Sequence, residues 1–222
     1  LSEENNLFLI MVLSLSFTYV VMAICLATSN MAISTTATER ENGTLETLLT
    51  FPVSKKDLIL GKYLSSVIVG TAAALFGLII TLVSILIAKN TFDIYKVVTL
   101  DLNIINILLS IIIIVFASLF ISGVALALTA FSKTYKEAQS STQLLSMIGV
   151  VPMFVSLMEV EITTMYYAIP IFNHEQILMD LYTGTFVFSN FIIALLSTIV
   201  FIFLIVKYII KAYNSEKVLF TN

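Results

Sequence analysis

The sequence predicts an all-α membrane protein with five transmembrane helices, and three observations predict it. Hydrophobic residues make up 59% of the 222-residue chain and charged residues only 11%, against about 25% charged in an ordinary soluble domain. Mean hydropathy is +1.05. The apolar residues are gathered into long runs, separated by short stretches that hold most of the charge.

A spanning helix needs about 20 mostly apolar residues. Leu7 to Ile33 meets that length, with Ser14, Ser16 and Thr18 as its main polar interruptions. Leu64 to Ala88 is a second span and Ile104 to Phe131 a third. The fourth, Gln143 to Met158, is shorter and holds Gly149 and Pro152; such residues are tolerated where neighbouring helices satisfy the freed backbone groups. Phe186 to Ile210 is the fifth. Between the last two, "EVEITTMYYAIPIFNHEQILMDLYTG" is too polar for a span and too apolar for a free loop. It reads as two short segments, broken at Pro170, that dip into the membrane from one side. The chain is thus one transmembrane domain over residues 1–222, with spans at about 7–33, 64–88, 104–131, 143–158 and 186–210.

Orientation follows from Lys and Arg. One side receives Arg40, Lys55, Lys56, Lys62, Lys133, Lys136, Lys207, Lys211 and Lys217; the other receives Lys89 and Lys96, with Glu159, Glu161, Glu175 and Asp180. The first side is expected to be cytoplasmic, which places residues 35–62, 132–140 and 211–222 there. The amino end then lies outside. With no starting Met and no basic signal-peptide head in "LSEENN", the chain reads as a piece preceded by an earlier span, with an external domain. A net charge of -3 gives no reason to expect nucleic acid, and the single Cys25 excludes an internal disulfide framework.

The most polar long stretch is "TERENGTLETLLTFPVSKKDLILGK", residues 38–62. Wound as a helix, it places Leu45, Leu48 and Leu49 in one arc and Glu39, Glu46 and Thr50 opposite. Glu41 falls near the leucine arc, which is odd for a free amphipathic helix, and Gly43 costs about 1 kcal/mol relative to Ala inside one. Either the helix begins after Gly43, or Gly43 permits a close backbone approach. Phe51-Pro52 ends it, and Ser54 with Asp57 has capping-box spacing to restart a helix through Gly61 and Lys62 into the second span. A helix resting in the lipid interface usually favours Lys and Arg on its polar face. Glu39, Glu41 and Glu46 against a single Arg40 suit a basic protein partner better.

Chemistry-bearing patterns are few. The seven glycines never form G-x-x-x-x-G-K-[ST], and no H-E-x-x-H or C-x-x-C spacing occurs. His174 is solitary and reads as a packing or surface residue, as does Cys25. No Asp, Glu, Lys or Arg lies near the centre of a span, where one would mark ion or proton coupling. Asn30, Asn106, Ser110, Ser118, Ser122, Asn190, Ser197 and Thr198 are polar spots within the apolar runs. Most suit interhelical contacts; none is assigned to a substrate.

"ERENGTLETLLTFPVSKKDLILGK" closely resembles the signature of the type-2 ATP-binding-cassette (ABC) permeases, of the kind found in sodium-exporting and multidrug-exporting systems. Two further stretches match in the expected order. "FSKTYKEAQSSTQLLSMIGVVP" is similar to the family's second cytoplasmic loop and the Pro-containing span after it. "AIPIFNHEQILMDLYTG" resembles its Pro-x-x-Asn stretch, which forms external re-entrant helices before the last span. The resemblance implies six spans in the full-length fold and a coupling helix that docks into a cytosolic ABC ATPase subunit. Carried onto this chain, the ATPase contacts are Glu39, Arg40, Glu41, Gly43, Thr44, Leu45, Glu46, Leu48 and Leu49, with Lys133, Lys136 and Glu137 from the second loop. The external gate is Pro170, Asn173 and Gly184. The chain itself is expected to bind no cofactor and catalyse nothing, with ATP and Mg held by the ATPase. A second permease copy, as homodimer or heterodimer, and the plasma-membrane bilayer complete the expected partners. The solute is Na+, a drug, a peptide or a lipid. A non-transporting scaffold or immunity-type protein of the same fold is the alternative.

Overall fold

A computed structural model describes residues 3–44, 52–97, 100–158 and 163–214, and every regular element among them is helical. Helix α1 (Glu3–Thr35) leads into a one-turn α2 (Ala37–Glu41). Then come α3 (Lys55–Thr91), a 3-10 turn (Asp93–Val97), α4 (Ile104–Thr129) and α5 (Tyr135–Leu157). A second 3-10 turn (Thr164–Ala168), α6 (Phe172–Thr183) and α7 (Phe188–Asn214) complete the described elements. Five helices among the described residues are long and apolar enough to cross a membrane: α1, α3, α4, α5 and α7.

Local capping decides where these helices begin. Ser54 accepts the Asp57 N–H at 3.1 Å and donates to Asp57 Oδ2 at 2.6 Å, a cap worth about 1 kcal/mol. Helix α3 therefore starts well before its apolar run, as the Ser54–Asp57 spacing predicts. Thr134 likewise accepts the Glu137 N–H at 3.2 Å, and Glu137 Oε2 accepts the Lys133 N–H at 2.8 Å. This reciprocal cap corrects one boundary. Tyr135 to Gln139, read as part of a loop before a span at Gln143, are the first turns of α5 itself.

Helix α1 is the centre of the bundle, packed against α3, α4, α5 and α6. Small residues bring its neighbours close, as they do where lipid supplies no hydrophobic drive between helices. A Cβ added at Gly70 of α3 would lie 2.5 Å from Thr28 Cγ2, and one at Gly149 of α5 would lie 3.2 Å from both Cys25 Sγ and Met22 Sδ. Three hydroxyls of the first apolar run, Ser16, Thr18 and Thr28, each donate to the carbonyl four residues back. Helices α3 and α7 turn Ile68, Phe76, Ile79, Phe203 and Leu204 outward, the apolar surface a bilayer requires.

Helix α6 has 12 residues, roughly 18 Å of helix against a hydrocarbon core of about 30 Å, so it cannot cross. It folds back among α1, α4, α5 and α7 instead. Its end is tied to the start of α4, where Asn106 Nδ2 donates to Leu181 O at 2.8 Å and the Asp101 N–H to Tyr182 O at 3.0 Å.

Candidate functional site

Three polar places stand out in this apolar bundle: the elbow at α2, a groove between α1 and α5, and the re-entrant hairpin around α6. The elbow is built from three consecutive side chains. Successive residues of a helix point about 100° apart, so Glu39, Arg40 and Glu41 each meet a different helix. Glu39 pairs with Lys62 of α3, which is 8% exposed and also donates to the Thr35 carbonyl at the end of α1. Arg40 Nη1 donates to Ser132 O at 2.6 Å and Nη2 to Ala130 O at 3.0 Å, capping carbonyls left over where α4 ends. Glu41 Oε2 accepts the Tyr135 N–H at 2.8 Å, one of the orphan donors in the first turn of α5.

Gly43 then breaks the turn with φ +70°, and a Cβ there would meet nothing within 4 Å. No close backbone approach is found at Gly43 among the described residues; its positive φ is what favours glycine there, and a helix beginning after it would lie outside the described residues. The break also explains why Glu41 fitted poorly opposite the acidic arc: α2 ends at Glu41, before the leucines begin. Thr44 Oγ1 donates back to Glu39 O at 3.0 Å. Leu45, Glu46, Leu48 and Leu49 lie outside the described residues. Lys133, Lys136 and Glu137 are exposed beside the elbow. Sequence reasoning turned Glu39 and Glu41 toward a basic partner protein; both carboxylates are engaged within the chain. The Glu39–Lys62 partnership follows no helical period, so no local signal could have found it.

The groove lies between α1 and α5 near the elbow, with a volume of about 380 Å³. Ser29, Asn30, Gln139, Gln143 and Ser146 line it, with Lys136 at its edge. Ser29 Oγ is buried with no hydrogen-bond partner among the described residues. Asn30 was visible in the sequence as a polar spot, whereas Ser29 was not.

At the opposite end, Pro170 lies between the 3-10 turn and α6, Asn173 in the first turn of α6, and Gly184 closes α6 at φ +75°. Asn173 is fully buried, with its amide nitrogen 3.2 Å from Tyr167 O and 3.3 Å from both Ala194 O and the Thr198 hydroxyl. It therefore stitches the hairpin to α7. Ile171 has φ +79°, a strained conformation for a β-branched residue. Its N–H donates to His174 Nδ1 at 3.2 Å, and His174 Nε2 faces Thr198 Oγ1 at 3.3 Å. Burial pushes the imidazole well below its usual range, so it stays neutral.

Two acids need a correction. Glu175 and Asp180, counted from sequence in the acidic bias of the external side, are 2% and 5% exposed. Wound into α6, they turn onto α1, α5 and the 3-10 turn rather than toward water. Asp180 is well supplied with donors: Tyr167 Oη at 2.6 Å to Oδ2, and Gln176 Nε2 at 2.8 Å and Thr185 Oγ1 at 3.3 Å to Oδ1. Burial raises its carboxyl above the ordinary range while those three bonds pull it back. Neither acid joins a wider cluster, and no group of three or more His, Cys, Asp or Glu among the described residues could hold a metal ion.

Five apolar crossings, a re-entrant hairpin and a polar elbow define a multi-pass α-helical membrane protein. The family follows from comparison: residues 2–207 match the ABC-2 family transporter proteins, and the chain belongs to that family. It is 27% identical over 185 residues to the ABC transporter permease protein NatB of Bacillus subtilis (strain 168), over 82% of this chain and 47% of that relative. The chain thus spans about half the length of the curated relative it matches. No solved structure matches it.

Proposed function

We propose that the protein is the permease subunit of an ABC exporter in the plasma membrane, moving a solute outward when a separate cytosolic ATPase holding ATP and Mg drives it. The observation that carries this reading is the elbow. Three successive residues fasten α3, α4 and α5 to the end of α1, directly before the segment that resembles a coupling helix. A push on residues 44–51 would reach three helices through one turn of chain. Charge asymmetry puts this end in the cytosol, where an ATPase would dock against Thr44, Leu45, Glu46, Leu48, Leu49 and the neighbouring Lys133, Lys136 and Glu137.

The groove beside the elbow, with its hydroxyls and amides, suits a solute entering from the same side. The hairpin of Pro170, Asn173 and Gly184 is the gate at the far end. Helix α5 leaves Leu144, Met147, Ile148, Val151 and Phe154 exposed in one stripe, a surface for a second permease copy. The solute belongs to one of four classes: Na+, drugs, peptides or lipids.

The test is to purify the full-length protein with its ATPase and measure bound ATPase, ATP hydrolysis and solute export together. Leu48→Pro should leave the protein in the membrane, since no span is altered, but an interior proline costs about 3 kcal/mol and should unlink hydrolysis from export. Glu46→Arg should weaken ATPase association most at low salt, because exposed charges are screened. Wild-type coupling in both variants would reduce the segment to a lipid-resting helix. ATPase binding with no solute exported by any preparation would favour a non-transporting scaffold.

A further inference from the structure

Glu175 is the group that the fold leaves least explained. It is 2% exposed, and neither of its carboxyl oxygens has a hydrogen-bond partner among the described residues. It borders a cavity of about 10 Å³ lined also by Pro152, Val155 and Ser156 of α5, Tyr166 of the 3-10 turn, and Phe172 and Gln176 of α6. That is room for about one water molecule. From α1 it is faced by Thr18, midway along that helix.

Among the described residues, the wall of this cavity holds no positive charge. Tyr166 is the one ionisable side chain in the cavity wall beside Glu175 itself. Helix α4 carries no ionisable residue, and those of α7, from Lys207 to Tyr213, lie toward the elbow end. The adjacent His174 is neutral, because its Nδ1 accepts the Ile171 N–H. An ionised carboxylate buried with neither cation nor donor costs several kcal/mol, and such a group takes up a proton instead.

The single hydroxyl hydrogen of Thr18 is committed to Ser14 O at 2.7 Å, so its contact with Glu175 offsets only part of the effect of burial. Asp180 on the same helix is the contrast, with three donors suited to a carboxylate. Burial pushes the Glu175 carboxyl up from the ordinary glutamate range.

We propose that Glu175 is a proton-binding site: its carboxyl holds a proton in this closed arrangement and releases it when α6 parts from α1 and α5 and water enters. On release the O–H bond breaks, its electron pair stays on the carboxylate oxygen, and the proton passes to the entering water. The closed hairpin and the bound proton then stabilise each other, by reciprocal linkage. The consequence for export rests on the gate reading above; the protonation does not.

The test reads the proton directly and needs no ATPase or solute. The full-length protein in lipid vesicles is examined by infrared spectroscopy at neutral pH for the C=O stretch of a protonated carboxyl. Wild type should show this band, Asp180→Asn should retain it and Glu175→Gln should lose it. Should Glu175→Gln fail to fold, isotope-labelled glutamate in the wild-type chain replaces it, and the band should shift with the label. A wild-type spectrum without the band, or a band moved only by labelled aspartate, overturns the proposal.

Discussion

Arg40 donates from Nη1 to the Ser132 carbonyl oxygen at 2.6 Å and so fastens the elbow after α1 to the chain beyond α4. The second bond, from Nη2 to Ala130 O at 3.0 Å, uses the other arm of the same planar fork. Hydrogen bonds to a charged donor contribute about 2 kcal/mol. Arg40→Ala should therefore lower the thermal stability of the purified protein by about that amount. Arg40→Lys should recover less than half, since an ammonium on a flexible stem cannot present two fixed donors. Equal melting of all three proteins would show that the capped carbonyls find water instead.

The Glu39–Lys62 pair can be tested by a double-mutant cycle. Lys62 is 8% exposed and the Glu39 side chain 23%. Breaking a fully buried pair costs about 3 kcal/mol or more; with Glu39 partly wet, about 2 kcal/mol is expected for Glu39→Gln. Replacing both with methionine should return much of the loss, because no charge is then left stranded. Losses that simply add would mean that the two residues act independently.

Close packing of α1 and α3 makes a steric prediction. Gly70→Ala should destabilise by about 1–3 kcal/mol through overpacking, since its Cβ would meet Thr28 Cγ2 at 2.5 Å. Thr28→Ser removes that methyl group and keeps the hydroxyl bond to Ile24 O. The double variant should be more stable than Gly70→Ala alone, as read by denaturation in detergent. No rescue would place the strain elsewhere along the helix pair.

Sidedness can be read with thiol reagents against a quiet background, because Cys25 is the only cysteine of this chain and is fully buried. Val187→Cys should react with an impermeant maleimide in intact cells. Val53→Cys should react only after the membrane is opened. Both positions are exposed, so labelling of the two from one side would sink the five-span arrangement.

Protonation of Glu175 has a sign in stability as well. A carboxyl whose folded pKa is raised binds more protons folded than unfolded, so stability falls as pH climbs from its ordinary range through the raised value. Burial raises Glu175. Wild type should therefore lose more stability than Glu175→Gln between mildly acidic and alkaline pH. Parallel pH profiles in thermal unfolding would contradict this.

Much of the architecture was legible in the sequence because its causes are local. An apolar run long enough to cross a bilayer is a property of about 20 consecutive residues, and all five runs became helices. The restart at Ser54 and the break at Pro170 were equally local, set by a side chain three residues from the N–H it caps and by a missing donor. Thr134 and Glu137 carry the same spacing, so the early start of α5 was available to the same reasoning. Packing decided the rest. Nothing in residues 38–41 tells Glu39 that Lys62 will arrive, or Arg40 that α4 will end beside it. Glu175 and Asp180 are both acids on one short helix, yet three donors hold Asp180 while neither Glu175 oxygen has a hydrogen-bond partner among the described residues. Hydropathy and periodicity report what each residue does to its own segment. Which buried polar groups find partners depends on segments brought together from distant parts of the chain, and only the assembled bundle sets that.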